Sequence, residues 1–123
     1  MRQNLEIRLV DFAAAVINLS KNLKKDTTSK LLSEHIVRSA TSTALNYGEA
    51  QNAQSKKDFI HKASIVLKEL RETHINLQLI LKTDLLLEEQ KISYLLKEND
   101  ELLAIFTASI ITAKKNIQRN NRM

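Results

Sequence analysis

The chain has 123 residues, a formal net charge of +5, one glycine, and neither proline nor cysteine. Turns between strands depend on glycine and proline, so this composition argues against a sheet and favours an all-α protein. Without cysteine there is no disulfide framework, no thiolate nucleophile and no cysteine-based zinc site. The sequence shows no signal-peptide pattern and no run of about 18 apolar residues. We therefore expect a single domain over residues 1–123, without a membrane partner and located in the cytoplasm.

Apolar residues in the first half of the chain recur at steps of three and four, the spacing of one helix face. This spacing predicts a first helix over residues 5–24 and a second over 28–51. Between them, Lys24 and Lys25 suit a helix C-terminus and Asp26 suits a helix cap. The predicted core positions are Leu5, Leu9, Phe12, Val16, Leu19, Leu23, Leu32, Ile36, Ala40, Thr43 or Ala44, and Tyr47.

The second half of the chain predicts two further helices. Ser55, with Asp58 three residues later, is typical of a helix start, and a third helix follows over residues 55–82. A fourth is predicted over 87–116, followed by a mobile basic tail. Their predicted core positions are Phe59, Ala63, Val66, Leu67, Leu70, His74, Leu77, Leu81, Ile92, Leu95, Leu96, Leu103, Phe106, Ile110 and Ala113. Four amphipathic helices with short connections favour an antiparallel up-down-up-down bundle.

Several helices carry apolar residues outside these core stripes. One bundle core needs only one stripe per helix, so a second stripe indicates burial against another subunit. We expect Ile65, Ile75 and Leu79 of the third helix to form such a subunit interface. The alternative is scattered exposed aliphatic residues, which are normal on any surface. The other residues outside the stripes are Val10, Ile17, Leu102, Ile105 and Ile111.

Several short sequence motifs are similar to those of a known family of four-helix bundles. They are Arg38-Ser39-Ala40, Asn46 with Glu49, Ser55 with Asp58-Phe59, and Glu69-Leu70. In these motifs the chain resembles the proteins encoded in intervening sequences of bacterial 23S rRNA genes, although Asn52 stands where that family usually has glycine. The resemblance implies an antiparallel bundle, often assembled as a homopentamer around a central channel, and no enzymatic activity. Some relatives act as basic accessories of the reverse transcriptases of retroelements.

The second helix also carries a polar group of residues. We predict that Arg38, Asn46, Glu49 and Glu69 take part in a structural polar network. Arg38 and Glu49 are too far apart along the helix to touch each other, so each is expected to meet a polar group of the third helix, with Glu69 and Glu72 as candidates. Such networks fix helix register or subunit contacts. A catalytic arrangement of carboxylates is the alternative, but no second convergent group in the sequence supports it.

The residues of common active sites and metal sites are missing. The three histidines, His35, His61 and His74, do not pair at helical spacing, and Asp58-x-x-His61 is the single carboxylate-histidine motif. A di-iron bundle needs two such motifs and two further glutamates. One glycine cannot build a phosphate-binding loop. We therefore expect no catalytic residue, no bound metal and no cofactor, and a cryptic metal enzyme remains the least favoured function.

Basic residues concentrate near helix ends and at the end of the chain. The candidate nucleic-acid contacts are Lys21, Lys24, Lys25, Lys56, Lys57, Lys62, Lys114, Lys115, Arg119 and Arg122. The sequence does not define one patch for a monomer, but a symmetric oligomer would multiply weak phosphate contacts. We expect a homo-oligomeric bundle that binds RNA or DNA, a reverse transcriptase, or both. The alternative is a structural protein-interaction scaffold that binds no nucleic acid.

Overall fold

The computed structural model describes residues 4–87 and 92–122. For residues 121 and 122 it describes the backbone alone. This part of the chain contains four helices and no strand, which confirms the prediction of an all-α, four-helix protein. The helices are α1 (Leu5–Ser20), α2 (Thr27–Gln51), α3 (Lys56–Lys82) and α4 (Ile92–Arg122).

Side-chain caps define where the first three helices begin. The side chain of Asn4 accepts a hydrogen bond from the backbone N–H of Glu6 (2.9 Å), and Asp26 accepts one from Ser29 (2.7 Å). The hydroxyl of Ser55 accepts one from the backbone N–H of Asp58 (3.1 Å). Each cap satisfies a backbone donor that a helix start leaves unpaired. The predicted start of the third helix at Ser55 therefore corresponds to its N-cap.

The first helix ends earlier than predicted. It ends at Ser20 rather than near residue 24, although Leu23 continues the apolar spacing. Leu23 instead forms an isolated antiparallel bridge with Leu86, and both side chains are buried. The backbone N–H of Lys24 also donates to the carbonyl of Leu85 (2.8 Å). The segment after α1 thus packs against the α3–α4 connection as extended chain, which helical spacing alone does not predict.

The fourth helix is longer at its C-terminus than predicted. It continues to Arg122 rather than ending near residue 116. Residues 117–122 contain neither glycine nor proline, and nothing in them breaks a helix. At the other end, Leu87 lies in a bend and residues 88–91 are outside the described residues, so the predicted helix start at 87–91 falls largely there.

The core runs along the bundle between all four helices. Its fully buried side chains include Leu9, Val16, Ile36, Val66, Leu70, Leu77, Ile80, Leu95, Leu102 and Phe106. Leu102 was expected outside the core. Asn99, which is also fully buried, occupies a core position of α4 between Leu95 and Leu102. Because Asn99 is polar, the apolar spacing in the sequence favoured Leu103 as the next core residue of α4. The buried residue is its neighbour Leu102.

Buried polar contacts fix the axial register of α2, α3 and α4. The hydroxyls of Ser39 and Thr73 are 2.8 Å apart between α2 and α3. The Asn99 amide, oriented as its hydrogen bonds require, donates to the carbonyl of Leu70 (3.1 Å) and accepts from the backbone N–H of His74 (3.2 Å). Because an unpaired buried polar group costs free energy, these contacts disfavour any slip of one helix along another.

Candidate nucleic-acid interface

The register of α3 against α4 brings two groups of predicted basic residues to one end of the bundle. The Nε2 atom of His74 lies 2.9 Å from Oδ1 of Asp100, so these residues mark one level on two antiparallel helices. Lys56 precedes His74 by 18 residues, and Gln118 follows Asp100 by 18 residues. At 1.5 Å per residue, both lie roughly 27 Å from that level. The first turn of α3 is therefore level with the last turns of α4.

Five exposed cations occupy this end, which we call the basic end: Lys56, Lys57, Lys114, Lys115 and Arg119. Within the described part of the chain, none of the five forms a salt bridge. Arg122 is the last residue of α4. Lys62, one turn further along α3, instead pairs with Glu49 at 3.5 Å. The basic end is thus a group of cations without salt bridges among the described residues, next to Asp58 in the first turn of α3, which the sequence did not establish as one patch.

The remaining predicted cations lie at the opposite end, near the α1–α2 connection. Lys21 caps the C-terminus of α1, while Lys24 and Lys25 line a cleft of about 510 Å³. Lys30 lines the same cleft. The sequence analysis missed it, although it follows Lys25 by only five residues. Ser29 also lines it, with a buried hydroxyl that has no hydrogen-bond partner among the described residues. This end is a second, smaller group of cations.

The structure does not bring the four residues of the predicted polar network together. Arg38 lies 3.4 Å from Glu69 and 3.4 Å from Glu72. Glu49 pairs with Lys62, and the amide of Asn46 donates to the carbonyl of Ser42 within α2 (2.8 Å). Arg38 and Glu49 thus each contact a charged residue of α3, at different levels of the bundle. Arg38 and Glu49 are eleven residues apart, roughly 16 Å along the helix, which is too far for a shared contact.

The pKa values of Glu69 and Glu72 are shifted in opposite directions at the α2–α3 contact. Burial raises the pKa of Glu69, whose side chain is 8% exposed, and the neighbouring Glu72 raises it further. The pKa of Glu72 is lowered, first by its hydrogen bond to Glu69 and also by Arg38. As the pH falls, Glu69 therefore takes up a proton before Glu72 does. This arrangement joins two helices, and it accounts for Glu69 without a catalytic role.

Arg8 is engaged within the bundle and does not contribute a free cation to either end. Its guanidinium donates two hydrogen bonds to Glu98, at 2.7 and 2.6 Å, and lies 3.3 Å from Glu101. The hydrogen bond to Glu98 and the nearby carboxylates raise the pKa of Arg8 further above its ordinary value. The side chains of Arg8 and Glu98 are only 14% and 13% exposed. This bidentate pair joins α1 to α4.

Aromatic side chains do not form a stacking platform for bases. Phe12 and Phe106 are buried, and Tyr47 packs edge-on against Phe106 with ring centroids 5.4 Å apart. Tyr47 and Phe59 also line a cleft of about 890 Å³ close to the basic end. Tyr94 is the exposed aromatic residue, and it lies on the first turn of α4, at the opposite end. Contacts to nucleic acid at the basic end would therefore be directed at phosphates.

Two of the three residues of the predicted subunit interface are exposed on α3. Ile75 and Leu79 are 57% and 42% exposed, and Ile65 is half-buried. His74 is also half-buried, where a core position was expected, and its ring contacts Asp100 and Gln78. Over residues 4–87 and 92–122, no three His, Asp or Glu residues lie close enough together to hold a metal ion. Over the same residues, no helix is long and apolar enough to cross a membrane.

The four helices place this chain among the small helical bundles. Comparison with known proteins identifies the family. The family model for 23S rRNA-intervening sequence proteins matches residues 7–108, and the chain belongs to this family. The predicted family is thereby confirmed. No curated protein was found to match the chain.

A solved structure shares this fold. It is a protein of unknown function from the S23 ribosomal protein family of Bacteroides thetaiotaomicron, with 31% sequence identity and a TM-score of 0.79. The similarity covers 87% of this chain and 98% of the other. The family and the similar solved structure thus give the fold, and the function has to be argued from the surface of this chain.

Proposed function

We propose that the protein is a non-enzymatic, cytoplasmic homo-oligomer that binds the phosphate backbone of RNA or DNA through its basic end. The observation that carries this proposal is the group of five exposed cations without carboxylate partners among the described residues. Surface cations of a purely solubilising kind are expected to be interspersed with acids. Here two cations of α3 and three of α4 meet at one end.

The physical basis of binding is the release of counterions from the nucleic acid. Each lysine or arginine that neutralises a phosphate displaces condensed cations, so the affinity falls steeply with salt. Such contacts position a backbone without reading bases. Since no aromatic platform accompanies the basic end, we propose binding with little sequence preference.

Oligomerisation would convert a weak site into a useful one. Several copies of the basic end on one particle bind a single strand with a raised effective concentration. The family resemblance points to five copies around a channel, and we propose a cyclic homo-oligomer on that basis. A reverse transcriptase is the protein partner that the same resemblance suggests.

A second candidate function rests on the exposed apolar side chains. Ile7, Val10, Leu45, Ile75 and Leu79 are each at least 42% exposed. Contiguous exposed apolar surface marks sites of protein interaction. The alternative is therefore a protein-interaction scaffold whose charge only keeps it in solution.

Charge reversal at matched positions tests the proposed function. We expect the double substitution Lys56→Glu and Lys114→Glu to weaken binding of a labelled single-stranded RNA at least about tenfold at fixed salt. The control, Lys24→Glu with Lys25→Glu, makes the same change in net charge at the other end. Fluorescence anisotropy measures both. Equal losses in the two variants would contradict a localised site, and no binding by the unchanged protein would favour the scaffold.

A further inference from the structure

A groove between α1 and α2 is lined by exposed apolar residues and by Gly48, which has no side chain. Ile7 and Val10 of α1 and Leu45 of α2 are 57%, 51% and 69% exposed. They line a cavity of about 400 Å³ together with Glu6, Ala44 and Gly48. We call this cavity the α1–α2 groove. Three half-exposed aliphatic residues around one concavity are more than the single exposed apolar residues found on any surface.

Gly48 forms part of this groove although nothing within the chain requires glycine there. It lies inside α2, where glycine is less favourable than other residues. A Cβ atom at this position would meet only Oε1 of Glu6, at the ordinary distance of 3.8 Å. Its backbone does not have a positive φ. The missing side chain instead leaves the groove open to an approaching side chain.

The rim of the α1–α2 groove is acidic. Glu6 lines it, and Asp11 lies one helical turn from Ile7 on the exposed side of α1. Neither carboxylate is in a salt bridge within the described ranges. Glu49 borders the same region and is partly compensated by Lys62. An occupant of the groove should therefore be apolar with basic flanks.

The exposed face of α3 has this composition. Ile75 and Leu79 are one turn apart and exposed, and Arg71 precedes them by one turn, while Lys82 follows. We call these four residues the α3 ridge. Both cations are exposed and make no salt bridge in the part of the chain that the structure describes. At spacings of three and four residues, the four side chains lie along one side of the helix.

We infer that the α3 ridge of one copy of this chain docks into the α1–α2 groove of a second copy. Apolar side chains would fill the cavity beside Gly48, and Arg71 and Lys82 would face the acidic rim. Because ridge and groove are different surfaces, the contact is head-to-tail, which generates rings or open chains rather than two-fold dimers. The inference rests on the homo-oligomer of the proposed function and identifies its contact surfaces.

Two interface variants test the docking by sedimentation. The ridge variant carries Ile75→Asp with Leu79→Asp, and the groove variant carries Ile7→Asp with Leu45→Asp. All four positions are at least 42% exposed, so helicity by circular dichroism should be unchanged. We expect each variant alone to sediment as a monomer. The control, Tyr94→Asp with Ile111→Asp, alters exposed residues of α4 and should keep the mass of the unchanged protein.

Mixing the two variants tests the head-to-tail geometry. The ridge variant retains an intact groove and the groove variant retains an intact ridge, so an equimolar mixture should form a particle of two subunits and nothing larger. A mixture that stays monomeric would overturn the inference. So would either variant retaining the mass of the unchanged protein. A monomeric unchanged protein would instead contradict the proposed homo-oligomer itself.

A charge exchange provides a second test that does not depend on apolar substitutions. Arg71→Glu with Lys82→Glu, or Glu6→Lys with Asp11→Lys, should each reduce the mass of the assembly. The chain that carries all four changes restores opposite charges across the contact and should recover the larger mass. Failure to recover, with helicity intact in every variant, would overturn the pairing of these two surfaces.

Discussion

Two buried serines of α2 differ in whether their hydroxyls have a partner. The Ser29 hydroxyl has none among the described residues, while that of Ser39 contacts Thr73 at 2.8 Å and donates to the carbonyl of Ile36. We expect Ser29→Ala to raise the free energy of unfolding by about 1 kcal/mol, because it removes an unsatisfied hydroxyl and favours the helix. Ser39→Ala should lower it by about 1 kcal/mol. Urea unfolding followed by circular dichroism distinguishes the two, and equal effects would contradict the assignment.

The titration of Glu69 and Glu72 makes stability depend on pH in opposite directions. The pKa of Glu69 is raised in the folded state, so its contribution to stability is present at low pH and is lost as the pH rises through that value. The pKa of Glu72 is lowered, so its contribution is present at neutral pH and is lost on acidification. Relative to the unchanged protein, Glu69→Gln should become more stabilising as the pH rises from about 4 to 7, and Glu72→Gln more destabilising. Parallel shifts in the two variants would contradict this account.

At the scale of elements, the Arg8–Glu98 pair is the main polar link between α1 and α4 in the described structure. The pair is bidentate and mostly buried. We expect Arg8→Ala to lower the free energy of unfolding by about 2–3 kcal/mol, because it leaves a partly buried carboxylate without its partner. The control is Arg38→Ala: its side chain is 59% exposed and its contacts are 3.4 Å long, so the loss should stay below about 1 kcal/mol. A similar loss in both variants, measured by thermal or urea unfolding, would contradict the difference in burial.

Helix bounds were predicted well where local chemistry decides them. Ser55 caps α3, and α3 ends at Lys82 as the spacing indicated. The prediction failed where a contact distant in sequence decides. Leu23 is buried against Leu86 outside any helix, and Asn99 holds a core position through bonds to α3. The residue types of Leu23 and Asn99 do not predict where these side chains lie, because contacts with a neighbouring element decide it.

The basic end illustrates the same limit for the candidate site. The sequence identified Lys56, Lys57, Lys114 and Lys115 as basic positions but did not join them, because their proximity depends on the register of α3 and α4. That register follows from the His74–Asp100 contact and from buried Asn99. Residue types thus identified the candidate phosphate contacts, and only the packing of two helices brings these side chains to one end.

For the whole molecule, five of the exposed cations are grouped at one end of the bundle. The salt bridges of the described residues, such as Arg8–Glu98 and Lys62–Glu49, lie between neighbouring helices along its length. The five cations of the basic end, which have no salt bridge among the described residues, lie together at one end. In the proposed ring, copies related by rotation about the axis would present these ends on the same face. A single strand could then contact several subunits at once.

The measurement that tests the proposed function most directly is the salt dependence of nucleic-acid binding by the unchanged protein. We would titrate it into labelled single-stranded RNA and read the anisotropy at several salt concentrations between about 50 and 200 mM. Binding through six or more phosphate contacts on an oligomer predicts an affinity that falls roughly a thousandfold or more over this range. Binding that is insensitive to salt, or absent even at about 50 mM, would contradict recognition of phosphates by the basic end.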